Sequence, residues 1–276
     1  MVERAYFLCV AMALILIAAG CTQEGQNNGA AGPGTFTITQ QPDDSKTDVG
    51  AKSTTDENGS VKPMERVSFL TSDNVKIIGN YWPGREGAVL LLHMMPSTKE
   101  SWNGFAALLQ KQGYSVLAID LRGHGESTKQ NGQAIDYKRF NDYDHQQSIH
   151  DVEAAAEFLV EKSGDEISIV GASIGANLAL RYQSVHPEIR KAALLSAGAN
   201  YRGIITGDAA RELADAQQVF MAAGSKDGNT VADANAISKA MKGQSIVKSY
   251  NTELHGTSLF DRFPELQLEI ISWLKD

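Results

Sequence analysis

The chain has 276 residues, of which 42% are hydrophobic and 21% charged, so it is long enough for one large or two small domains with a sizeable core. Its formal net charge is -8 at pH 7, and the sequence contains no run of basic residues. This balance argues against nucleic acids and anionic membrane surfaces as partners bound through basic patches.

Residues 1–20 have the pattern of a signal peptide. Arg4 precedes an apolar stretch from Ala5 to Ala19, which is shorter than the ~20 residues that a membrane-spanning helix needs. Small residues then precede Cys21, and this arrangement resembles the lipobox of bacterial and archaeal lipoproteins. The resemblance implies that Cys21 is lipidated, becomes the new N-terminus and holds the protein on the outer side of the cell membrane. Ordinary signal cleavage and an uncleaved anchor are the alternatives.

The segment 21–63 is predicted to be a disordered tether. It is rich in Gly, Asn, Gln, Thr, Ser and Asp, and its few apolar residues follow no period of 2 or 3.6. Such a composition cannot bury enough apolar surface to fold, so the segment is expected to span roughly 35 Å as a random coil. Cys21 is the only cysteine after residue 20, which leaves it no partner for an internal disulfide. The folded domain is therefore predicted to cover residues 64–276.

From residue 65 onward, strand patterns alternate with helix patterns. Two strands joined by the polar turn 72–74 suit an antiparallel hairpin, and several later strands are continuous apolar runs typical of burial on both faces. The predicted strands cover residues 65–71, 75–82, 88–93, 114–119, 166–170, 192–196, 219–222 and 245–250. The predicted helices cover residues 99–112, 151–162, a stretch after residue 173, 231–241 and 260–274. This order implies an α/β fold with a mostly parallel eight-stranded sheet, helices on both faces and a ligand site at the carboxyl ends of the strands.

The organising motif is a serine between two glycines, Gly171-Ala-Ser173-Ile-Gly175. A strand rich in β-branched residues ends at Gly171, and a helical pattern begins immediately after Ser173. Glycine at both flanking positions removes side chains that would collide in so tight a strand-to-helix turn. Such a turn exposes the Ser173 hydroxyl above the sheet and brings the first helix amides beside it, where they stabilise negative charge. These features suit a nucleophile for acyl transfer, and the alternative is an inert serine in a glycine-rich turn.

Two further motifs accompany the serine motif in the chain. The sequence Leu-Leu-His-Met-Met, which ends at Met95, stands where α/β-hydrolases have their oxyanion segment, with Met94 in place of the usual glycine. The sequence Asp-Leu-Arg-Gly-His-Gly-Glu-Ser, which ends at Ser127, matches the family's turn after the fourth strand. The chain thus resembles an α/β-hydrolase over residues 64–276. The resemblance implies that the backbone amides of Met95 and Ile174 form an oxyanion hole.

A general base for Ser173 follows the serine along the chain in this fold, and two histidines do so. His186 lies thirteen residues further along the same predicted helix, ~20 Å from Ser173 and just before Pro187. It is therefore interpreted as a helix C-cap or surface residue. His255 follows the strand 245–250 and lies in a loop before the last helix, as the family's general base does.

Asp227 is the predicted acid of the triad. It follows the strand 219–222 in a glycine-rich loop that lets its carboxylate turn towards His255. The competing carboxylates, which lie on helices, at helix starts or too near His255 in the chain, are Asp208, Asp215, Asp233 and Glu253. In the resulting triad, Asp227 orients His255, which takes the proton from Ser173 as the serine oxygen attacks an acyl carbonyl.

Other polar residues are interpreted as structural. His93 is predicted to orient the oxyanion segment. The residues predicted to brace the turn after the fourth strand are Asp120, Arg122 and His124. His145 and His150 are five residues apart, which does not place them on one helical face, so no metal site is predicted. No nucleotide-binding glycine pattern is present, so no cofactor is predicted.

The whole sequence predicts a membrane-tethered, extracytoplasmic serine hydrolase of small carboxylic esters. Only about twenty residues, 198–217, separate two successive strands where many relatives insert a helical cap, so an open cleft is expected. The nearest resemblance is to small dienelactone-hydrolase-like and esterase-like members of the family. Met94, Met95 and Ile174 suggest an apolar approach suited to short or medium acyl groups. The alternatives are an aminopeptidase-like or thioesterase activity on the same triad, and a non-catalytic binding lipoprotein with the same fold.

Overall fold

The computed structural model describes residues 62–276 with the exception of residue 165. The predicted signal peptide, the lipidation site Cys21 and nearly all of the predicted tether lie outside the described residues. Nearly all of the predicted folded domain lies within them. Within this part of the chain, none of the helices combines the length and the apolar character needed to cross a lipid bilayer.

A large twisted sheet forms the centre of the described chain. Its strands, together with the separate hairpin β9–β10, are β1 (Glu65–Leu70), β2 (Val75–Trp82), β3 (Ala88–Leu92), β4 (Ser115–Ile119), β5 (Lys129–Gln130), β6 (Gln133–Ala134), β7 (Ile167–Ala172), β8 (Lys191–Leu195), β9 (Asn200–Tyr201), β10 (Ile204–Ile205), β11 (Gln218–Gly224) and β12 (Ser245–Tyr250). The strand order is β12-β11-β8-β7-β3-β4-β2-β5-β6, and β1 also pairs with β2.

Six neighbouring strands, from β12 to β4 in that order, are parallel. The strands β1 and β2 form the predicted antiparallel hairpin, and β2 runs antiparallel to β4. The eight longer strands confirm the predicted sheet. The two-residue strands β5 and β6 were not predicted, and they bring the sheet to ten strands in the described residues.

The apolar strands separate two layers of core because successive side chains point to opposite faces of the sheet. In β3, Leu90 and Leu92 belong to one hydrophobic cluster, whereas Val89 and Leu91 belong to the other. All four side chains are fully buried. This explains why β3 is continuously apolar rather than alternating in polarity.

Helices cover both faces of the sheet, as predicted. They are α1 (Asn103–Lys111), α2 (Asp142–Gln146), α3 (Ile149–Ser163), α4 (Ile174–Val185), α5 (Thr206–Glu212), α6 (Thr230–Ala240), α7 (Leu259–Arg262) and α8 (Glu265–Lys275). Residues of α3, α4, α5 and α6 pack in the cluster that contains Leu90 and Leu92. Residues of α1, α7 and α8 pack in the cluster on the opposite face.

The predicted C-terminal helix 260–274 is wrong as one continuous element. The structure contains α7 and α8, with Phe263 between them at φ -127° and ψ 67°. A residue before proline is disfavoured in the helical region, so Pro264 ends the first helix and begins the second. The short α2 and α5 were also missed, because five and seven residues are too few for a clear helical period. The segment that links β8 to β11 holds only β9, β10 and α5, which agrees with the expected absence of a large cap.

Candidate active site

Ser173 lies on a strained turn between β7 and α4. Its backbone has φ 54° and ψ -119°, a conformation that costs an L-residue of order 1–3 kcal/mol. A Cβ atom on Gly171 would collide with the Gly175 carbonyl, and one on Gly175 would collide with the Leu92 carbonyl. The two glycines therefore allow β7, α4 and the end of β3 to approach closely, and this approach creates the turn at Ser173.

Asp227 and His255 form a direct hydrogen-bonded pair. The Nδ1 atom of His255 lies 2.8 Å from Oδ2 and 3.0 Å from Oδ1 of Asp227. Asp227 follows β11, and its amide donates to the Gly224 carbonyl in a tight turn at the strand's carboxyl end. His255 follows the neighbouring β12. Because Nδ1 donates to the carboxylate, Nε2 is the nitrogen left to accept a proton.

The loop that carries His255 lies against the serine turn. The Gly256 amide donates to the Ser196 hydroxyl oxygen at 3.0 Å, and the Ser173 amide donates to the Leu195 carbonyl at 2.8 Å. The Cβ position of Gly256 is 3.3 Å from the Ala172 Cβ atom. Residues adjacent to both catalytic candidates are thus in contact. Among the residues that the structure describes, Ser173 has no direct hydrogen bond to His255, and such bonds commonly tighten only when substrate binds.

The segment 93–95 extends from β3, the sheet neighbour of β7. His93 is fully buried, its Nδ1 atom lies 2.9 Å from the Met94 carbonyl, and its Nε2 atom accepts from the Leu121 amide at 3.0 Å. These partners define the tautomer with the proton on Nδ1. Burial lowers the pKa of His93 to about 4, so the ring stays neutral at pH 7 and orients the segment as predicted.

Met94 contacts the loop that carries His255. Its sulfur atom is 2.5 Å from the Cβ position of Gly256 and 4.0 Å from the Thr257 hydroxyl oxygen. A residue larger than glycine at position 256 would therefore displace Met94. The amide of Met95 donates no hydrogen bond to any atom of the described residues, which leaves it available to an oxyanion. Ile174 occupies the first turn of α4, where amides lack intrahelical acceptors.

The turn after β4 is braced by buried ion pairs. Asp120 is fully buried and accepts from the amide of Lys99 at 2.9 Å, from its Nζ atom at 2.7 Å and from the amide of Glu126 at 2.9 Å. The guanidinium of Arg122 donates to the carboxylates of Asp151, at 2.9 Å, and Asp73, at 2.7 Å. The bracing role predicted for Asp120 and Arg122 is therefore observed.

Lys99 was predicted only as a helix residue and proves to be a buried cation. Its side chain is 2% exposed. Burial by itself would lower the pKa of Lys99, but hydrogen bonds with the carboxylates of Asp120, Glu100 and Glu126 outweigh it and raise the pKa above its usual value. Lysine at a predicted helix start carries no local signal of this burial.

Ser196, at the carboxyl end of β8, is a site residue that sequence reasoning missed. It is fully buried, has φ 52°, and donates its amide to the Ala222 carbonyl at 2.8 Å. Its hydroxyl oxygen accepts from Gly256, next to His255. The sequence signal that could have indicated Ser196 is its position directly after a predicted buried strand, because ligand sites form at the carboxyl ends of parallel strands.

Tyr201, at the end of β9, was also missed. Its ring meets the His255 ring edge-on, with centroids 6.3 Å apart and planes at 88°. Its hydroxyl donates to the Ser196 carbonyl at 3.3 Å, and the Ser173 side chain lies near enough to lower the pKa of the phenol. No sequence signal distinguishes it, because the loop 198–217 has no period to follow.

The remaining histidines lie apart from Ser173. His186 follows the end of α4, stacks on Tyr182 and lies 2.9 Å from a Glu188 carboxylate oxygen, so the predicted surface role is observed. His145 packs edge-on against a phenylalanine, and His150 lies 3.5 Å from a glutamate. Within residues 62–276, apart from residue 165, no group of three or more His, Cys, Asp or Glu residues is arranged to hold a metal ion.

A cavity of about 730 Å³ lies at the opposite end of the sheet from Ser173. Residues at the starts of β7 and β8 contribute to its wall, together with the acidic face of α3 and the C-terminal end of α4. Ligands of parallel α/β sheets bind at the carboxyl ends of the strands. We therefore assign the candidate active site to the carboxyl ends of the strands, where Ser173, Asp227 and His255 lie, and not to this cavity.

Proteins of known sequence and structure resemble this chain. A bifunctional esterase/perhydrolase of Acinetobacter calcoaceticus is 32% identical over 130 residues, which are 46% of this chain and 43% of that protein. The chain spans less than half the length of the curated relatives it matches. An esterase of Pyrococcus furiosus superposes with a TM-score of 0.62 at 21% identity, covering 77% of this chain and 92% of the other. A dienelactone hydrolase of Anabaena variabilis superposes with a TM-score of 0.61 at 16% identity, covering 77% and 97%.

The two solved structures share the fold at low sequence identity, and they establish the architecture alone. The family described as the alpha/beta hydrolase fold matches residues 87–272, which include β3 to β12 and all three segments of the candidate site. Together with the parallel sheet order and the serine turn at the end of β7, this match shows that the chain belongs to the alpha/beta hydrolase fold family.

Proposed function

We propose that this protein is a serine hydrolase that cleaves carboxylic esters with Ser173 as nucleophile, His255 as general base and Asp227 as the orienting acid. The observation that carries the proposal is the Asp227–His255 pair, with oxygen to nitrogen distances of 2.8 and 3.0 Å, beside a serine held in a strained turn. A protein that only binds ligands has no physical need for this combination.

The reaction follows from the positions of these groups. The Ser173 oxygen attacks the ester carbonyl while Nε2 of His255 takes the hydroxyl proton. The backbone amides of Met95 and Ile174 receive the oxyanion of the tetrahedral intermediate. The intermediate collapses when the imidazolium gives its proton to the leaving alcohol, and water then repeats the sequence on the acyl-enzyme. Each amide donor is worth about 3 kcal/mol of transition-state stabilisation.

Short or medium acyl esters are the proposed substrates. The side chains of Met94 and Met95 are half-buried, and Met94 contacts the loop that carries His255, so we expect an apolar approach to the site. Only β9, β10 and α5 occupy the place of a cap, which leaves the cleft open to small substrates. The esterase activity in the name of the Acinetobacter relative supports the same substrate class.

A fluorophosphonate probe tests the proposal directly, because it reacts only with an activated serine. The wild-type protein is expected to be labelled and to hydrolyse p-nitrophenyl acetate, whereas Ser173→Ala is expected to lose both properties. Ser184→Ala is a matched control, since this serine lies near the far end of α4 and bonds the Arg181 carbonyl. Equal labelling of the wild type and Ser173→Ala would overturn the assignment.

A substrate panel separates the remaining activities of the same triad. Turnover of thioesters in preference to oxygen esters would indicate a thioesterase, and turnover of aminoacyl amides alone would indicate an aminopeptidase-like enzyme. A wild-type protein without labelling or turnover would favour a non-catalytic binding protein with the hydrolase fold.

The membrane tether is a second part of the proposal. The apolar stretch and the small residues that precede Cys21 support lipidation there, followed by a polar segment that links the domain to the outer side of the membrane. Cys21→Ser is expected to move the protein from the membrane fraction to the soluble fraction without loss of esterase activity. Retention of that variant in the membrane fraction would contradict lipid anchoring at this residue.

A further inference from the structure

Tyr201 contacts both of the side chains that exchange a proton in the proposed reaction. Its ring lies edge-on to the His255 ring, with centroids 6.3 Å apart, and its hydroxyl is near enough to the Ser173 side chain for that side chain to lower the phenol pKa. Tyr201 approaches from β9, which follows β8, whereas Met95 follows β3. Because β8 and β3 lie on opposite sides of β7 in the sheet, Tyr201 lies across the nucleophile from the oxyanion segment.

The hairpin that carries Tyr201 is held firmly in place. Its two turn residues, Arg202 and Gly203, have φ 54° and 81°, as a tight two-residue hairpin turn requires. The fully buried amide group of Asn177 donates to the carbonyls of Gly198 and Ile204 at 2.9 and 2.8 Å and accepts from the Gly198 amide at 3.1 Å. The phenol is thus preorganised and does not depend on the closure of a lid.

The hydrogen bond that the Tyr201 hydroxyl donates to the Ser196 carbonyl is weak. Its distance of 3.3 Å is longer than the usual 2.7–2.8 Å of an O–H···O hydrogen bond. Burial raises the pKa of the Tyr201 phenol, and the nearby charge of Asp227 adds to this effect, while the neighbouring Ser173 side chain acts against it. The phenol therefore remains a protonated donor at neutral pH, and a charged oxygen nearby would attract its proton more strongly than the carbonyl does.

We propose that Tyr201 donates a hydrogen bond to the oxygen of the departing alcohol when the tetrahedral intermediate collapses. This inference rests on the proposed esterase function. The departing oxygen must lie between the Ser173 oxygen and Nε2 of His255, because the imidazolium gives its proton there. Tyr201 contacts both of these side chains, so its hydroxyl faces the same point.

The step balances without any further reactant. The bond between the carbonyl carbon and the alcohol oxygen breaks, and its electron pair goes to that oxygen. His255 transfers its Nε2 proton to the oxygen, while Tyr201 keeps its own proton and supplies only a hydrogen bond. The benefit grows with the negative charge on the departing oxygen, and that charge is greatest for alcohols of high pKa.

A series of acetate esters tests this role, because all members give the same acetyl-enzyme and differ only in the leaving group. Values of kcat/KM are measured for p-nitrophenyl, phenyl, trifluoroethyl and ethyl acetate with the wild type and Tyr201→Phe. The variant is expected to lose at most about threefold on the nitrophenyl ester and about tenfold to a hundredfold on the ethyl ester. Tyr143→Phe, at a residue that is 69% exposed, serves as the control and is expected to leave all values unchanged.

The outcomes separate this inference from the proposed function. A wild-type protein that hydrolyses no ester of the series overturns both. An active wild type together with a uniform loss, or no loss, across the series in Tyr201→Phe overturns the role of Tyr201 alone. Phenylalanine keeps the ring that packs over Gly198, so the variant is expected to fold, and its thermal unfolding is measured in parallel.

Discussion

Ser196 offers the sharpest test of how the structure positions the general base. Its hydroxyl oxygen is the acceptor for the buried amide of Gly256, next to His255, and its own backbone has φ 52°. Two substitutions separate these features. Ser196→Ala removes the acceptor and keeps the left-handed backbone strain, whereas Ser196→Gly removes the acceptor and relieves the strain.

The expected magnitudes follow from these two effects. Leaving the Gly256 amide buried and unpaired costs about 1–3 kcal/mol of unfolding free energy in both variants. A non-glycine residue in the left-handed region destabilises the native state by about 1–2 kcal/mol, and glycine removes this strain. Glycine also lowers the unfolding free energy by about 0.5–1 kcal/mol, because it gives the unfolded chain more backbone entropy. Ser196→Gly is therefore expected to be at least as stable as Ser196→Ala, and more stable by up to about 1.5 kcal/mol.

Urea unfolding and steady-state kinetics measure the two consequences. Both variants are expected to have a lower kcat with little change in KM, because the freed loop positions His255 less well for proton transfer. Ser184→Ala is the control, and its unfolding free energy is expected to stay within about 0.5 kcal/mol of the wild-type value. Wild-type stability and kcat in Ser196→Ala would refute the role of the hydrogen bond. A lower unfolding free energy of Ser196→Gly than of Ser196→Ala would refute the argument from backbone strain.

Two further predictions concern charged groups. Asp227→Asn is expected to fold normally and to lose up to ~10⁴-fold in kcat, because the amide favours the wrong His255 tautomer; a kcat within tenfold of the wild type would contradict this. Hydrogen bonds from Arg66 and Lys99 lower the pKa of Glu126 from 4.5 to about 2. Its contribution to stability is therefore present above pH 4.5 and is lost as the pH falls from about 4.5 to about 2. Acid unfolding curves should show a shallower decline over this range for Glu126→Gln, and parallel curves would refute the prediction.

Much of the fold was accessible from local patterns. The strands β2 and β12 have the predicted bounds, and the other long strands differ by one or two residues at an end. Continuous apolar runs, glycine stops and the order of strands and helices are properties of short segments, so they can be read without knowledge of distant contacts. The prediction of one C-terminal helix was wrong because the apolar period of the sequence continues across Pro264, whereas the helical backbone is interrupted before this proline.

Some features of the candidate site were likewise accessible from the sequence, and others were not. The sequence by itself determined the serine turn, because the glycines at 171 and 175 are local requirements, and it ordered Ser173, Asp227 and His255 along the chain. Only the tertiary structure decided that Ser196 holds the loop after His255, sixty residues away, that Lys99 is buried against Asp120, and that the Tyr201 ring meets the His255 ring edge-on. These contacts join residues far apart in the chain. No spacing rule encodes them, because they exist only once the sheet has brought the carboxyl ends of its strands to one edge.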